Sequence, residues 1–130
     1  MDARPIAPAS LGALHLLVVD DDEEVREITA KMLETGGHRV DQAEDAARAL
    51  ERLDAQRYDA VLTDVVMPRT SGVVLRTEVG KRWPELLVVL TSAYPPEAVT
   101  EALPVVPKPF NSATLLRVLG DLVAEHRSKR

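Results

Sequence analysis

Three aspartates in a row, Asp20, Asp21 and Asp22, follow the aliphatic run Leu16–Val19. Asp64 follows a second run, Ala60–Thr63, and Met67, Pro68 and Gly72 come soon after it. Thr91 and Ser92 follow Leu86–Leu90, and Lys108 stands between two prolines just past Leu103–Val106. Clustered carboxylates repel one another and stay ionised when a cation compensates them. Oxygen donors without nearby His or Cys select a hard divalent ion, Mg²⁺ or Mn²⁺, over zinc. Mg²⁺ keeps several waters, which leaves room for a phosphate oxygen. A carboxylate beside such an ion and a fixed lysine can attack a phosphoryl group and form an aspartyl phosphate. Phosphoryl transfer asks for little beyond positioning and charge neutralisation. Lys108 would neutralise, and the Thr91 hydroxyl would donate a hydrogen bond. The proline flanks of Lys108 fix where its side chain points.

These groups act together only if the fold brings them to one place. The four aliphatic runs are short and β-branched, without polar alternation. That is the pattern of strands buried on both faces of a parallel sheet. His38–Ala43 reads as a fifth, weaker strand. Between the strands lie helical patterns. Val25, Ile28, Met32 and Leu33 share one face, and Gly36-Gly37 ends that helix. Ala46, Ala49, Leu50 and Leu53 form a second, and Leu75 with Val79 a third that stops before Trp83-Pro84. Glu97–Leu103 reads as a short fourth helix. Leu115, Val118, Leu119, Leu122 and Val123 form the last, capped by Asn111 or Ser112. The order βαβαβαβαβα predicts an α/β, doubly wound five-stranded parallel sheet with helices on both faces. Functional groups of such sheets gather at the carboxyl ends of the strands. That places Asp20, Asp21, Asp22, Asp64, Thr91, Ser92 and Lys108 on one rim.

Composition removes several other functions. The 130 residues suit one domain, with 45% hydrophobic and 28% charged residues, as in a globular chain. Sixteen basic against 21 acidic residues give a net charge of −5. That balance speaks against nucleic-acid binding, which needs a basic surface. Tyr58, Trp83, Tyr94 and Phe110 are too scattered for a base-stacking platform. The absence of cysteine excludes disulfides, thiolate catalysis and Cys-ligated metals. No apolar run approaches the length of about 20 residues that a membrane span needs, and the acidic run Asp20–Glu24 is foreign to a signal peptide. The expected compartment is the cytoplasm. Residues 1–13 read as a flexible leader, 14–126 as the domain and 127–130 as a basic tail.

Four stretches together resemble the receiver domain of two-component response regulators. They are Leu-Leu-Val-Val-Asp-Asp-Asp (16–22), Asp-Val-Val-Met-Pro (64–68) with Gly72, Leu-Thr-Ser (90–92) and Lys-Pro-Phe (108–110). The resemblance implies a flavodoxin-like (βα)5 fold, as in chemotaxis regulators. It implies that Asp64 is the phosphoacceptor, and that Asp20, Asp21, Asp64 and the Val66 backbone carbonyl hold Mg²⁺, with Asp21 the more direct ligand of the acidic pair. Thr91 would be the switch hydroxyl, Lys108 the counter-charge, and Lys108–Pro109 a cis bond. The implied donor is a histidine kinase or a histidine phosphotransfer protein. The output would be phosphorylation-dependent contact with an unknown downstream protein, and the chain would catalyse only its own phosphorylation and dephosphorylation.

Two departures from the family pattern have consequences. Val105 stands where receivers usually carry an aromatic switch residue, and the stretch from Thr91 to Lys108 is short. Tyr94 is a candidate substitute, so the switch candidates are Thr91, Tyr94 and Val105. Val66 and Ala93 are apolar where receivers often carry groups that influence the attacking water. Slow self-dephosphorylation is the expectation.

Two alternatives use the same residues differently. Val19-Asp20-Asp21-Asp22 also fits the first motif of haloacid-dehalogenase-type phosphohydrolases, with Asp20 as nucleophile and Asp22 as acid. That family needs a later acidic pair, and Asp121 and Glu125 lie inside the last helix. A phosphorylation-independent docking module of the same fold is the other alternative, kept open by Val105. Blander roles are expected nearby: Asp22 caps a helix, Trp83 packs against the sheet or a loop, and His15, His38 and His126 carry no function.

Overall fold

A computed structural model describes residues 12–67, 70–92 and 105–129. Five parallel strands form one sheet: β1 (His15–Val19), β2 (Arg39–Ala43), β3 (Ala60–Asp64), β6 (Leu87–Ser92) and β7 (Val105–Pro107). Their order is β2-β1-β3-β6-β7. The helices are α1 (Glu23–Glu34), α2 (Ala46–Ala55), α3 (Gly72–Arg82) and a last one, α4 (Ser112–Ser128). No helix among the described residues is long and apolar enough to cross a membrane.

The unbroken aliphatic runs have a direct cause. Successive strand residues point to opposite faces, and both faces are covered. Leu16 and Val18 of β1 join Leu62 of β3, Val89 of β6 and Leu115 and Leu119 of α4 in one core. Leu17 and Val19 join Val61, Val88, Ala49 and Leu53 of α2, and Leu75 and Val79 of α3 in the other. Trp83 packs against this second core, with the Arg82 guanidinium 4.6 Å from its ring centroid.

Local signals start and stop the helices. The side chains of Asp22, Asp45, Ser71 and Asn111 accept from backbone N–H groups three residues on. Of the two cap candidates for the last helix, Asn111 is the cap. After α1 the chain turns back through Gly37 at φ +91°, a conformation that side chains disfavour.

Several boundaries differ from expectation. Thr91 and Ser92 lie inside β6 rather than after it. The final strand is Val105–Pro107; Leu103 lies outside the described residues, as do Tyr94, Ala93, the short fourth helix at 97–103 and most of the leader. α4 runs through Ser128, so two residues expected in the tail are helical. A small antiparallel hairpin, β4 (Val66–Met67) with β5 (Thr70–Ser71), went unforeseen, because two-residue strands carry no periodicity. Ile28, expected on the core face of α1, is 49% exposed. The buried stripe runs instead through Thr29, Ala30 and Leu33.

Candidate functional site

β1 and β3 are neighbours in register, Val19 opposite Thr63, so the residues that follow them meet at the same rim. Asp64 is paired in register with Thr91 on β6, and the Val65 N–H donates to the Thr91 carbonyl at 2.9 Å. β7 lies on the far side of β6. The Lys108 N–H donates to the Ser92 carbonyl at 2.9 Å, which starts the lysine from a fixed point. The Lys108–Pro109 peptide is cis.

From these anchors the charged groups converge. Carboxylate oxygens of Asp20, Asp21 and Asp64 lie within 4.8 Å of one another. Lys108 Nζ donates to Asp20 Oδ2 at 3.1 Å and reaches Asp64 Oδ1 at 3.5 Å. Asp20 is buried, Asp64 is half-buried and Asp21 is exposed. Burial pushes the Asp64 carboxyl above its ordinary range; the Lys108 ammonium pulls it back, and Asp20 and Asp21 push it further up. Three carboxylates against one ammonium leave surplus negative charge on a set of hard oxygen donors. That donor chemistry fits Mg²⁺.

The cluster opens into a cavity of about 480 Å³ lined by Asp20, Asp21, Asp22, Val25, Asp64, Val66, Met67 and Lys108. Val66 stands at its mouth, 69% exposed. Thr91 is buried beside Asp64 in the sheet and does not line the cavity. Asp22 lines it, but its Oδ1 accepts from the Val25 N–H at 3.1 Å, as a cap does. Val105 is half-buried on β7, opposite Leu90.

Arg26 and Gln42, near the site, carried no functional signal in the sequence. Arg26 Nη1 donates to the Asp20 carbonyl at 2.9 Å, and its Nε donates to Gln42 Oε1 at 2.9 Å. Arg26 reads as one more charge on a charged helix, and only the fold shows that it turns back toward the loop. Gly72 had a signal in its spacing from Asp64, but not a reason. Its N–H donates to the Val65 carbonyl at 2.7 Å. A Cβ there would collide with the Asp64 carbonyl oxygen.

The histidines have structural partners. His15 Nε2 is 3.0 Å from Asp41 Oδ2, which also accepts from the Tyr58 hydroxyl at 2.6 Å. His38 Nδ1 accepts from the Leu14 N–H at 3.1 Å, and burial lowers its pKa. A larger groove of about 950 Å³ lies at the other end of the strands, between Tyr58, Trp83, Leu87 and His126. Of its three arginines, Arg82 pairs with Asp54 and Arg127 with Asp59. It holds no carboxylate cluster of the kind at the rim.

Known proteins share both the sequence and the architecture. The family model of the response regulator receiver domain matches residues 16–119. Response regulator MprA of Mycobacterium ulcerans is 32% identical over 80% of this chain and 47% of that protein. The chain spans less than half the length of the curated relatives it matches first. Response regulator protein TrrA of Thermotoga maritima, solved in complex with Mg(2+)-BeF, is 30% identical with a TM-score of 0.75, over 83% of this chain and 97% of that one. A CheY-like receiver domain protein of Methanospirillum hungatei has the same fold at 22% identity, with a TM-score of 0.82 over 92% of this chain and all of that one. Matched by the family model over residues 16–119, the chain belongs to the response regulator receiver domain family, the signalling module of two-component systems.

Proposed function

We propose that this receiver takes a phosphoryl group onto Asp64 from a phosphohistidine of a histidine kinase or histidine phosphotransfer protein. An Asp64 carboxylate oxygen bonds to phosphorus as the phosphorus–nitrogen bond of the donor breaks and the imidazole leaves. The supporting observation is the position of Asp64: within one carboxylate cluster, 3.5 Å from the Lys108 ammonium and open to a cavity. Asp20, Asp21, Asp64 and the Val66 carbonyl would hold Mg²⁺, which supplies charge neutralisation to the phosphoryl oxygens when bound. TrrA, solved with Mg(2+)-BeF, is a relative of the same fold.

Lys108 offsets charge from the other side, and Thr91 stands opposite Asp64 in the sheet register. A phosphoryl group shifts the protein between states only through interactions that differ between them. Thr91 and Lys108 supply those differences, with Val105 on the neighbouring strand. The readout is contact with a downstream protein.

Intact mass after incubation with Mg²⁺ and acetyl phosphate tests the reading. The wild type should gain one phosphoryl group and Asp64→Asn none. A gain that persists in Asp64→Asn and disappears in Asp20→Asn would make Asp20 the nucleophile. No gain from acetyl phosphate or from a phosphorylated kinase would leave a docking module.

A further inference from the structure

Asp20 is 4% exposed, and every polar group it carries has a partner. Its N–H donates to the Ala43 carbonyl at 3.2 Å. Oδ1 accepts from the Asp22 N–H at 3.0 Å and Oδ2 from Lys108 at 3.1 Å. The remaining group, its carbonyl oxygen, accepts from Arg26 Nη1 at 2.9 Å. The same guanidinium donates through Nε to Gln42 Oε1 at 2.9 Å. Gln42 lies on β2, opposite Val18 of β1. The Arg26 N–H in turn donates to the Asp22 carbonyl at 2.8 Å. One planar, rigid fork therefore joins α1, the loop 20–22 and the neighbouring strand.

We propose that Arg26, with Gln42 as its anchor, is a positioning residue that sets the ion selectivity of the acidic pocket, favouring Mg²⁺ over Ca²⁺. The proposal rests on the reading that Asp20, Asp21 and Asp64 hold Mg²⁺. Mg²⁺ demands a near-ideal octahedron with oxygens at about 2.0–2.1 Å, whereas Ca²⁺ accepts a looser shell at about 2.3–2.6 Å. A loop held from three sides keeps the narrow spacing. A loop released from Arg26 widens at little cost and admits the larger ion.

The arginine charge works the other way, because it repels any cation in the pocket. Removing it strengthens binding of two ions of equal charge by a similar factor, so charge cancels in the ratio of their affinities. The ratio reads geometry alone.

Calorimetric titration of the full chain with Mg²⁺ and separately with Ca²⁺ tests the proposal, in wild type, Arg26→Ala, Arg26→Lys and Gln42→Met, below each variant's thermal transition. The Mg²⁺-to-Ca²⁺ affinity ratio should fall roughly tenfold in Arg26→Ala, the scale at which partners behind metal ligands act. Arg26→Lys keeps a donor for one acceptor and should fall between. Gln42→Met keeps the guanidinium charge and should move the ratio the same way; if Arg26→Ala does not fold, these two variants carry the test. An unchanged ratio overturns the proposal: equal tightening of both ions would leave Arg26 a charge only, and equal weakening a scaffold only. Absence of Mg²⁺ binding in the wild type would overturn the metal reading itself.

Discussion

Lys108 Nζ sits 0.4 Å closer to Asp20 than to Asp64, at 3.1 Å against 3.5 Å. Its ammonium is thus anchored on the buried carboxylate and only leans toward the proposed phosphoacceptor. A phosphoryl group on Asp64 would compete for that ammonium. Lys108→Ala should leave phosphoryl uptake possible and remove the phosphorylation dependence of partner binding. Pull-down of the phosphorylated and unphosphorylated forms checks this, and a normal difference in the variant contradicts it.

Asp64 is raised above its ordinary carboxylate range mainly by burial. The folded protein therefore binds a proton there more tightly than the unfolded chain does. Stability falls as pH rises through that raised value, and the penalty is fully present above it. Asp64→Asn should raise Tm at pH above that raised value without divalent ions and remove the fall in stability across it. Mg²⁺ at 100 times its Kd should stabilise the wild type by about 2.7 kcal/mol, and Asp64→Asn by much less.

Gly72 leaves no room for a side chain against the Asp64 carbonyl. Gly72→Ala must push the strand end or the start of α3 aside, at a cost of about 1–3 kcal/mol. The displaced atoms belong to Asp64 and Val65, so the rate of phosphorylation should drop even in the fraction that remains folded. Urea unfolding and time-resolved intact mass separate the two effects.

Asp41 is held below its ordinary value of 3.8: burial alone would raise it, but hydrogen bonds from Tyr58 and His15 lower it. Its stabilising contribution is present above that ordinary value and is lost as pH falls through the depressed one. Tyr58→Phe removes one of those bonds and should cost about 1.5–3 kcal/mol at neutral pH, with a smaller loss below pH 3.8. Unfolding curves across acid pH give both numbers. Phosphoryl uptake should not change, since the pair lies away from the rim.

Val66 places an apolar side chain at the mouth of the pocket, where it offers no hydrogen bond to an attacking water. The aspartyl phosphate should persist for minutes or longer in the purified protein. Val66→Asn should shorten it. A wild-type half-life of seconds would end this explanation.

Strand identity was readable because a sheet covered on both faces requires unbroken aliphatic runs, as in Val61-Leu62 and Val88-Val89-Leu90. Asp20, Asp21, Asp64 and Lys108 could be grouped because the topology sends them to the same rim. Arg26 and Gln42 were not readable. They act through backbone and amide contacts that any polar residue could make in principle, so only the rotation of α1 against β2 reveals them. That rotation also misled the placement of Ile28, since the helix approaches the sheet through the small side chains of Thr29 and Ala30. Val105 and Thr91 were found as positions, but the register that sets them on adjacent strands needed coordinates.

β7 is three residues long, ends the strand order and finishes in an exposed proline. A sheet margin normally offers a ladder of free donors and acceptors to any passing strand. Here the margin is too short for a lasting ladder, and Pro107 has no N–H to give. The segment that delivers Lys108 to the rim thus also makes this margin a poor template for edge-to-edge pairing, whereas the opposite margin, β2, is a full five-residue strand.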